Sequence, residues 1–134
     1  MILLGIDYGT RRVGIAWVNT ESVRVAAALT ILPNDQNLFR EIVDLIKLKA
    51  ATRIIVGYPR SLSGSATEQT AITEDFIEKL KKETDVDIQT EDETLSTAVV
   101  SEVGSEPGTK TVDEYIDHKA AALILQDYID SHKI

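Results

Sequence analysis

The sequence predicts an α/β fold in which a five-stranded mixed β-sheet carries helices on both faces. Apolar runs typical of strands alternate with stretches of helical spacing, in the order strand, strand, strand, helix, strand, helix, strand, helix, helix. The length of 134 residues suits one hydrophobic core, so we expect a single domain over residues 1–134. The composition, 43% apolar and 27% charged, is that of an ordinary globular protein.

The first three strands follow one another closely. Residues 2–7 and 13–18 are apolar runs separated by a turn that contains Gly9 and Thr10, and this pattern predicts a β-hairpin. Residues 23–32 predict a third antiparallel strand that ends at Pro33. A first helix is predicted over about residues 35–50. Its helical spacing is carried by Leu38, Ile42, Leu45, Ile46 and Lys49.

The middle of the chain predicts a buried strand over residues 53–56, closed by Gly57-Tyr58-Pro59. A capping-box pattern over residues 65–68 then predicts the start of a second helix. The core face of that helix is expected to contain Ile72, Phe76, Ile77 and Leu80.

The last part of the chain predicts a fifth strand over residues 86–90, a short helix over 95–103 and a loop over 104–109. A second capping box, at residues 111–114, predicts the start of the last helix. Its apolar side is expected to contain Ile116, Ala120, Leu123, Ile124 and Tyr128.

Composition excludes several kinds of site. The chain has no cysteine and only two histidines, so disulfides, thiol catalysis and zinc sites built on cysteine are excluded, and any metal must be held by carboxylates. No apolar run reaches the roughly 20 residues of a membrane helix, and no signal peptide is recognisable. We therefore expect a cytoplasmic protein with no membrane partner.

The net charge of −8 is unevenly distributed, since residues 83–117 hold 11 of the 22 acidic side chains and only one basic side chain. Such a segment repels a polyanion, which argues against broad electrostatic binding of nucleic acid. It also attracts divalent cations wherever several carboxylates converge. The alternative is a solvated acidic face that favours solubility.

Asp7 ends a strand whose other residues are suited to burial, and an ionised carboxylate there is costly unless a cation or several donors meet it. In one interpretation the backbone amides of Gly9 and Thr10 are those donors. In the other, Asp7 belongs to a metal site.

Three adjacent acids, Glu91, Asp92 and Glu93, directly follow the predicted fifth strand. Alternation along the strand would direct Glu91 and Glu93 to one face and Asp92 to the other, and we expect one of these sets to face Asp7. Asp117 lies at the edge of the apolar side of the last helix. The alternatives are a solvated strand end and, for Asp117, a favourable interaction with the positive end of the helix dipole.

Four segments in order resemble the YqgF (RuvX) family over nearly the whole chain: residues 5–16 (GIDYGTRRVGIA), 54–59 (IIVGYP) with Gly64, 92–97 (DETLST) and 117–129 (DHKAAALILQDYI). That family is similar to the RuvC Holliday junction resolvases and has the ribonuclease H-like fold. The resemblance implies that Asp7, Glu93 and Asp117 form a catalytic acidic cluster that binds Mg²⁺ or Mn²⁺. It also implies a nucleic-acid partner, either structured RNA or branched DNA.

The chain departs from the family pattern at two places that usually bind phosphate. Thr94 stands where the family usually has arginine, and the segment over residues 104–110 (GSEPGTK) lacks the usual Lys and Arg. The remaining candidates for substrate binding are Thr10, Arg11, Arg12 and Arg60. We therefore expect weak binding with few phosphate contacts.

The sequence thus favours a metal-dependent endonuclease that acts in 5′-end maturation of pre-16S rRNA or in Holliday junction resolution. A non-catalytic ribonuclease H-like module that binds a protein or an RNA-processing partner is the alternative, favoured by the acidic charge and by Thr94. A small ATPase is the third candidate function. The opening hairpin fits such an enzyme, but the chain is too short for the second lobe that it needs. Both a monomer and a homodimer remain open.

Overall fold

The computed structural model describes residues 1–60, 68–94 and 112–132. Side chains are described for these residues apart from Val23, Arg60, Thr94 and residues 112–118. Five strands and three helices lie in the described ranges. In chain order they are β1 (Ile2–Tyr8), β2 (Arg12–Asn19), β3 (Val23–Pro33), α1 (Leu38–Lys49), β4 (Arg53–Arg60), α2 (Glu68–Glu83), β5 (Asp87–Thr94) and α3 (Val112–His132).

The sheet is mixed, with strand order β3-β2-β1-β4-β5. Strand β1 pairs antiparallel with β2 and parallel with β4, β3 is antiparallel to β2, and β5 is parallel to β4. The carboxyl ends of β1, β4 and β5 therefore meet at one edge of the sheet. The five-stranded mixed sheet predicted from the sequence is confirmed.

Helices cover both faces of the sheet, as predicted. Helices α1 and α2 pack on one face, where a core cluster joins Leu4 and Ile54 to Leu38 and Phe76. Helix α3 covers the opposite face, where Leu3 and Ile55 pack against Leu125. Because side chains alternate along a strand, each central strand contributes to both cores and is apolar nearly throughout.

Two predicted details were wrong. The three acids do not follow β5 but lie inside it, because pairing with β4 continues to the Arg60 and Thr94 pair. Leu123 was expected on the apolar side of the last helix but is 45% exposed. At 100° per residue Leu123 is about half a turn from the centre of the buried stripe. That stripe contains Ala121, Ile124, Leu125, Tyr128 and Ile129.

Several predictions fall outside the described residues. They are most of the capping box at 65–68, the short helix over 95–103, the loop over 104–109, the beginning of the capping box at 111–114, and the side chain of Ile116. The other boundaries agree within a few residues. None of the described helices combines the length and the apolar character that crossing a membrane requires.

Candidate active site

A cavity of about 350 Å³ opens where the carboxyl ends of β1, β4 and β5 meet. It receives carboxylates from two strands, together with backbone and polar groups from the β1–β2 turn and from the first turn of α2. The lining residues are Asp7, Tyr8, Gly9, Thr10, Gly57, Pro59, Gln69, Glu93 and Ile124. Two of the three acids predicted to form the site therefore share one cavity.

Alternation along the strands places Asp7 and Glu93 on the sheet face that α3 covers. Gly5, two residues before Asp7, lies against α3. Gln89, four residues before Glu93, accepts a 2.6 Å hydrogen bond from the Tyr128 hydroxyl of α3. Since residues an even number apart share a face, both acids lie on the α3 side. Of the β5 acids expected to face Asp7, Glu93 shares its cavity and Glu91 does not line it, and joint binding of a metal by Asp7 and Glu93 stays a prediction.

The two carboxylates are held apart by one intervening strand. The parallel register aligns Ile6 with Val56 and Pro59 with Glu93. Extending this register places Asp7 level with Gly57 and Glu91. Glu93 therefore lies two strand spacings from Asp7, about 10 Å across the sheet, and two residues further along the strand direction. The cavity is lined by both carboxylates. Both side chains are partly buried, and Oε1 of Glu93 is fully buried. Partial burial lowers solvent screening, so a cation between them would interact strongly with both.

Glu91 also projects to the α3 side of β5, two residues before Glu93. Burial raises the pKa of its carboxyl group above the usual value, and the negative charges of Asp127 and Asp92 raise it further. His132 acts in the opposite direction. The carboxyl group of Glu91 therefore favours protonation or a nearby cation, even though Glu91 does not line the cavity.

Helix α3 runs antiparallel to β1 and β4. Its Ile124 lies over Gly57 near the end of β4, whereas its Tyr128 accepts a 3.0 Å hydrogen bond from Arg53 at the start of that strand. Moving back along α3 therefore leads toward the cavity edge.

Asp117 lies one helical turn before Ala121, and Ala121 contacts Gly5. One turn covers about 5.4 Å, and the two-residue step from Gly5 to Asp7 covers about 6.6 Å. The backbone of Asp117 is therefore close to level with Asp7. Its side chain lies outside the described residues. Within the described side chains no group of three metal ligands occurs, so convergence of all three acids stays a prediction.

The β1–β2 turn and the first residue of β2 include three of the four predicted substrate-binding residues. Thr10 lines the cavity and is exposed, Arg11 is exposed and Arg12 is half-buried. The turn is tight, since a Cβ at Gly9 would lie 2.5 Å from the carbonyl oxygen of Arg12. The fourth residue, Arg60, ends β4 at the same edge of the sheet, and its side chain is outside the described residues.

Sequence reasoning missed Gln69, which lines the cavity from the first turn of α2. Its side-chain amide donates a 3.3 Å hydrogen bond to the carbonyl oxygen of Tyr8. Nearby, the Thr70 hydroxyl donates to the carbonyl oxygen of Pro59, which holds the start of α2 against the end of β4. A helix that follows a strand begins at the carboxyl edge of the sheet. Because the capping box predicted a helix start at Glu68, the next residue, Gln69, could have been placed at this edge from the sequence.

Comparison with known proteins gives consistent matches. The family described as "RuvX: Holliday junction resolvase" matches residues 1–131. A protein of Sulfurihydrogenibium sp., named as a candidate pre-16S rRNA nuclease, is 34% identical over 130 residues, which cover 96% of this chain and 89% of that protein. Proteins of the same name from Chloroflexus aggregans and Desulforudis audaxviator are 31% and 33% identical, and the matches cover 98% and 99% of this chain and 94% and 96% of those proteins.

Among solved structures, RuvC of Thermus thermophilus matches with a TM-score of 0.58 at 11% sequence identity, covering 99% of this chain and 96% of RuvC. The same protein in complex with a Holliday junction substrate matches with a TM-score of 0.56, also at 11% identity, covering 98% of this chain and 94% of that one. At this identity the likeness concerns the fold. It confirms the predicted ribonuclease H-like architecture.

Proposed function

Because the chain belongs to the RuvX family, whose pattern matches residues 1–131, we propose that it is a metal-dependent endonuclease that hydrolyses phosphodiester bonds as one domain. Its proposed substrate is precursor 16S rRNA, cleaved during maturation of the 5′ end. Relatives at 31–34% identity over nearly the full chain support this choice over branched DNA. Holliday junction resolution is the second substrate class, supported by the description of the family. The proposed location is the cytoplasm.

The observation that carries the proposal is the pair of partly buried carboxylates, Asp7 and Glu93, that face one cavity from two strands. Like charges gathered in a partly desolvated cavity repel, and a cation between them removes that cost. Carboxylate oxygens are the ligands that Mg²⁺ and Mn²⁺ prefer. The donor set therefore fits such an ion, and Asp7, Glu93 and Asp117 are the residues proposed to hold it.

When bound, such ions would lower the pKa of an attacking water and stabilise the oxygen that leaves the phosphorus. The side chains of the chain then have separate tasks. Asp7 and Glu93 supply the negative charge that fixes the cation at the end of the sheet. Ile124 and Gly57 form an apolar wall that excludes bulk water from one side of the cavity. Exclusion of water lowers the local dielectric constant, which strengthens the electrostatic interactions within the cavity.

The substrate is proposed to approach from the β1–β2 turn. Thr10 lines the cavity, and its hydroxyl is able to donate to a phosphate oxygen, while Arg11 and Arg12 follow it in the chain. Arg60 ends the neighbouring strand β4. These cations stand on the non-acidic part of the chain, since the acidic segment begins only at residue 83. Contacts of this kind position the backbone of the nucleic acid without reading its bases.

The test is cleavage of an RNA that spans the 5′ end of 16S rRNA, compared with a four-way DNA junction, with and without Mg²⁺ or Mn²⁺. We expect Asp7→Asn, Glu93→Gln and Asp117→Asn each to lower kcat by at least about a hundredfold, since each removes a charge that acts on the transition state. The matched control is Asp92→Asn, which changes an adjacent acid that is exposed on the opposite face of β5. Its kcat should stay near that of the wild type.

Two outcomes would contradict the proposal. Equal loss in Asp92→Asn and Glu93→Gln would mean that the cavity is not the site of the chemistry. Binding of RNA without cleavage under every metal condition would favour the non-catalytic module. Sedimentation of the same samples would decide between a monomer and a homodimer.

A further inference from the structure

Asn34, which directly follows β3, binds the β1–β2 turn from a neighbouring part of the chain. Its side-chain Nδ2 donates a 2.7 Å hydrogen bond to the carbonyl oxygen of Gly9. Its backbone N–H donates a 2.9 Å hydrogen bond to the carbonyl oxygen of Arg11. The side-chain bond is partly buried, which protects it from competition with water. Asn34 thus binds the turn at two points on either side of Thr10.

The turn has little freedom to adjust by itself. The last pair of the β1–β2 ladder is Tyr8 and Val13, and only residues 9–11 lie between the two strands. Gly9 already approaches Arg12 so closely that a side chain would not fit between them. The position of so short a turn therefore depends on the groups that bind its carbonyl oxygens. Gln69 holds the preceding carbonyl, that of Tyr8, from the α2 side of the cavity.

We propose that Asn34 is a positioning residue that fixes the β1–β2 turn, and with it Thr10, Arg11 and Arg12, for contact with the phosphate backbone of the substrate. This inference rests on the proposed function. Asn34 does not line the cavity, so it acts through the turn and not on the substrate. The two hydrogen bonds of Asn34 can be tested separately. The backbone bond to Arg11 is kept in any substitution other than proline, whereas the bond to Gly9 needs a side-chain donor.

The consequence is a specific kinetic signature. Asn34→Ala removes the bond to Gly9 and lets the turn move relative to the carboxylates. The turn carries groups proposed to bind phosphate, whereas Asp7 lies before it in a paired strand. We therefore expect KM for the RNA to rise about three- to tenfold, the factor that one net hydrogen bond represents, with kcat within about twofold of the wild type.

The matched control is Asn37→Ala, three residues further along. Asn37 stands at the start of α1, and its side chain makes no capping hydrogen bond. Asn37→Ala shortens an asparagine of the same segment without removing a side-chain capping hydrogen bond, so it reports the effect of the truncation alone. Asn34→Gln keeps an amide donor and should recover part of the lost affinity.

The experiment measures KM and kcat for the 16S precursor RNA with full-length wild type, Asn34→Ala, Asn34→Gln and Asn37→Ala. Anisotropy of the labelled RNA across a salt series follows, in an Asp7→Asn background that keeps the RNA intact. We expect the slope of log affinity against log salt to fall by about one for Asn34→Ala, as for loss of one phosphate contact, and to be unchanged for Asn37→Ala.

Three results would overturn the inference. An unchanged KM and salt slope in Asn34→Ala, in a wild type that cleaves RNA, overturns this inference and leaves the proposed function standing. Identical effects of Asn34→Ala and Asn37→Ala would show that loss of the bond to Gly9 is not their cause, and would overturn the positioning role of Asn34. A wild type that neither binds nor cleaves the RNA overturns the proposed function, and this inference with it.

Discussion

A methyl group added at Gly5 tests how closely α3 rests on the sheet. A Cβ there would lie 2.9 Å from the carbonyl oxygen of Ala121 and 2.9 Å from Cβ of Leu125. Neither atom can rotate away, since one belongs to the helix backbone and the other to the base of a buried side chain. Ordinary contact begins at 3.4 Å, so α3 must move outward by about 0.5 Å.

The cost follows from two opposing effects. Overpacking of a core typically costs about 1–3 kcal/mol. Replacing glycine by alanine at a negative φ returns about 0.4–1 kcal/mol, because the unfolded chain loses conformational freedom. Gly5 has no positive φ. We therefore expect Gly5→Ala to lower the free energy of unfolding by about 1–2 kcal/mol, measured by urea denaturation and far-UV circular dichroism.

Gly57→Ala is the matched comparison under the same helix. Its Cβ would lie 2.4 Å from Cδ1 of Ile124, which is the end of a side chain able to change rotamer. The loss should be smaller than for Gly5→Ala, and Ile124→Val, which removes Cδ1, should relieve part of it in the double variant. Wild-type stability of Gly5→Ala, or a larger loss in Gly57→Ala, would refute the reasoning.

Three further predictions concern charge. Mg²⁺ should raise the melting temperature of the wild type by mass action. Asp7→Asn should raise the melting temperature measured without metal, because it removes a repelling charge, and should reduce the shift that Mg²⁺ causes. An equal Mg²⁺-induced shift in the wild type and in Asp7→Asn would argue against a site at Asp7. Because the pKa of Glu91 is raised in the folded state, its contribution to stability is present below the ordinary pKa of 4.5 and is lost as pH rises through the pKa of the folded state. In thermal melts, Glu91→Gln should therefore be slightly more stable than the wild type at pH 7 and equal to it near pH 3.5. The salt slope of RNA binding should be small, on the order of two to four, and Thr94→Arg should steepen it; a steep wild-type slope would place the nucleic acid on another surface.

Local patterns in the sequence predicted most of the fold, and the exceptions have a common cause. The hairpin, α1 and α2 were predicted because the spacing of their apolar residues indicates both the type of element and its buried face. The end of β5 was not, because residues 90–94 are polar and extend only through pairing with β4. Leu123 was misplaced because the last helix has apolar residues on more than one side, and the sequence does not show which side faces the sheet.

The residues of the candidate site were likewise predicted only in part from the sequence. Alternation along β5 predicted that Glu91 and Glu93 share a face, and that required no tertiary information. Asn34 and Gln69 were not predicted, since neither belongs to a chemical motif. Their partners are backbone carbonyl groups 25 and 61 residues away in the chain. Only the folded arrangement of β3, α2 and the β1–β2 turn brings them together.

The position of α3 also governs when the cavity comes into existence during synthesis. The ribosome makes the sheet first, and every described strand is complete before α3 begins at Val112. Gln126 then accepts a 2.9 Å hydrogen bond from the backbone of Ala26, made 100 residues earlier. Until that docking occurs, the face around Leu3 and Ile55 lies bare and the cavity lacks the wall that Ile124 provides. A nascent chain thus carries Asp7 and Glu93 without a closed site, and under the proposed function it becomes able to cleave RNA only when α3 has docked on the sheet.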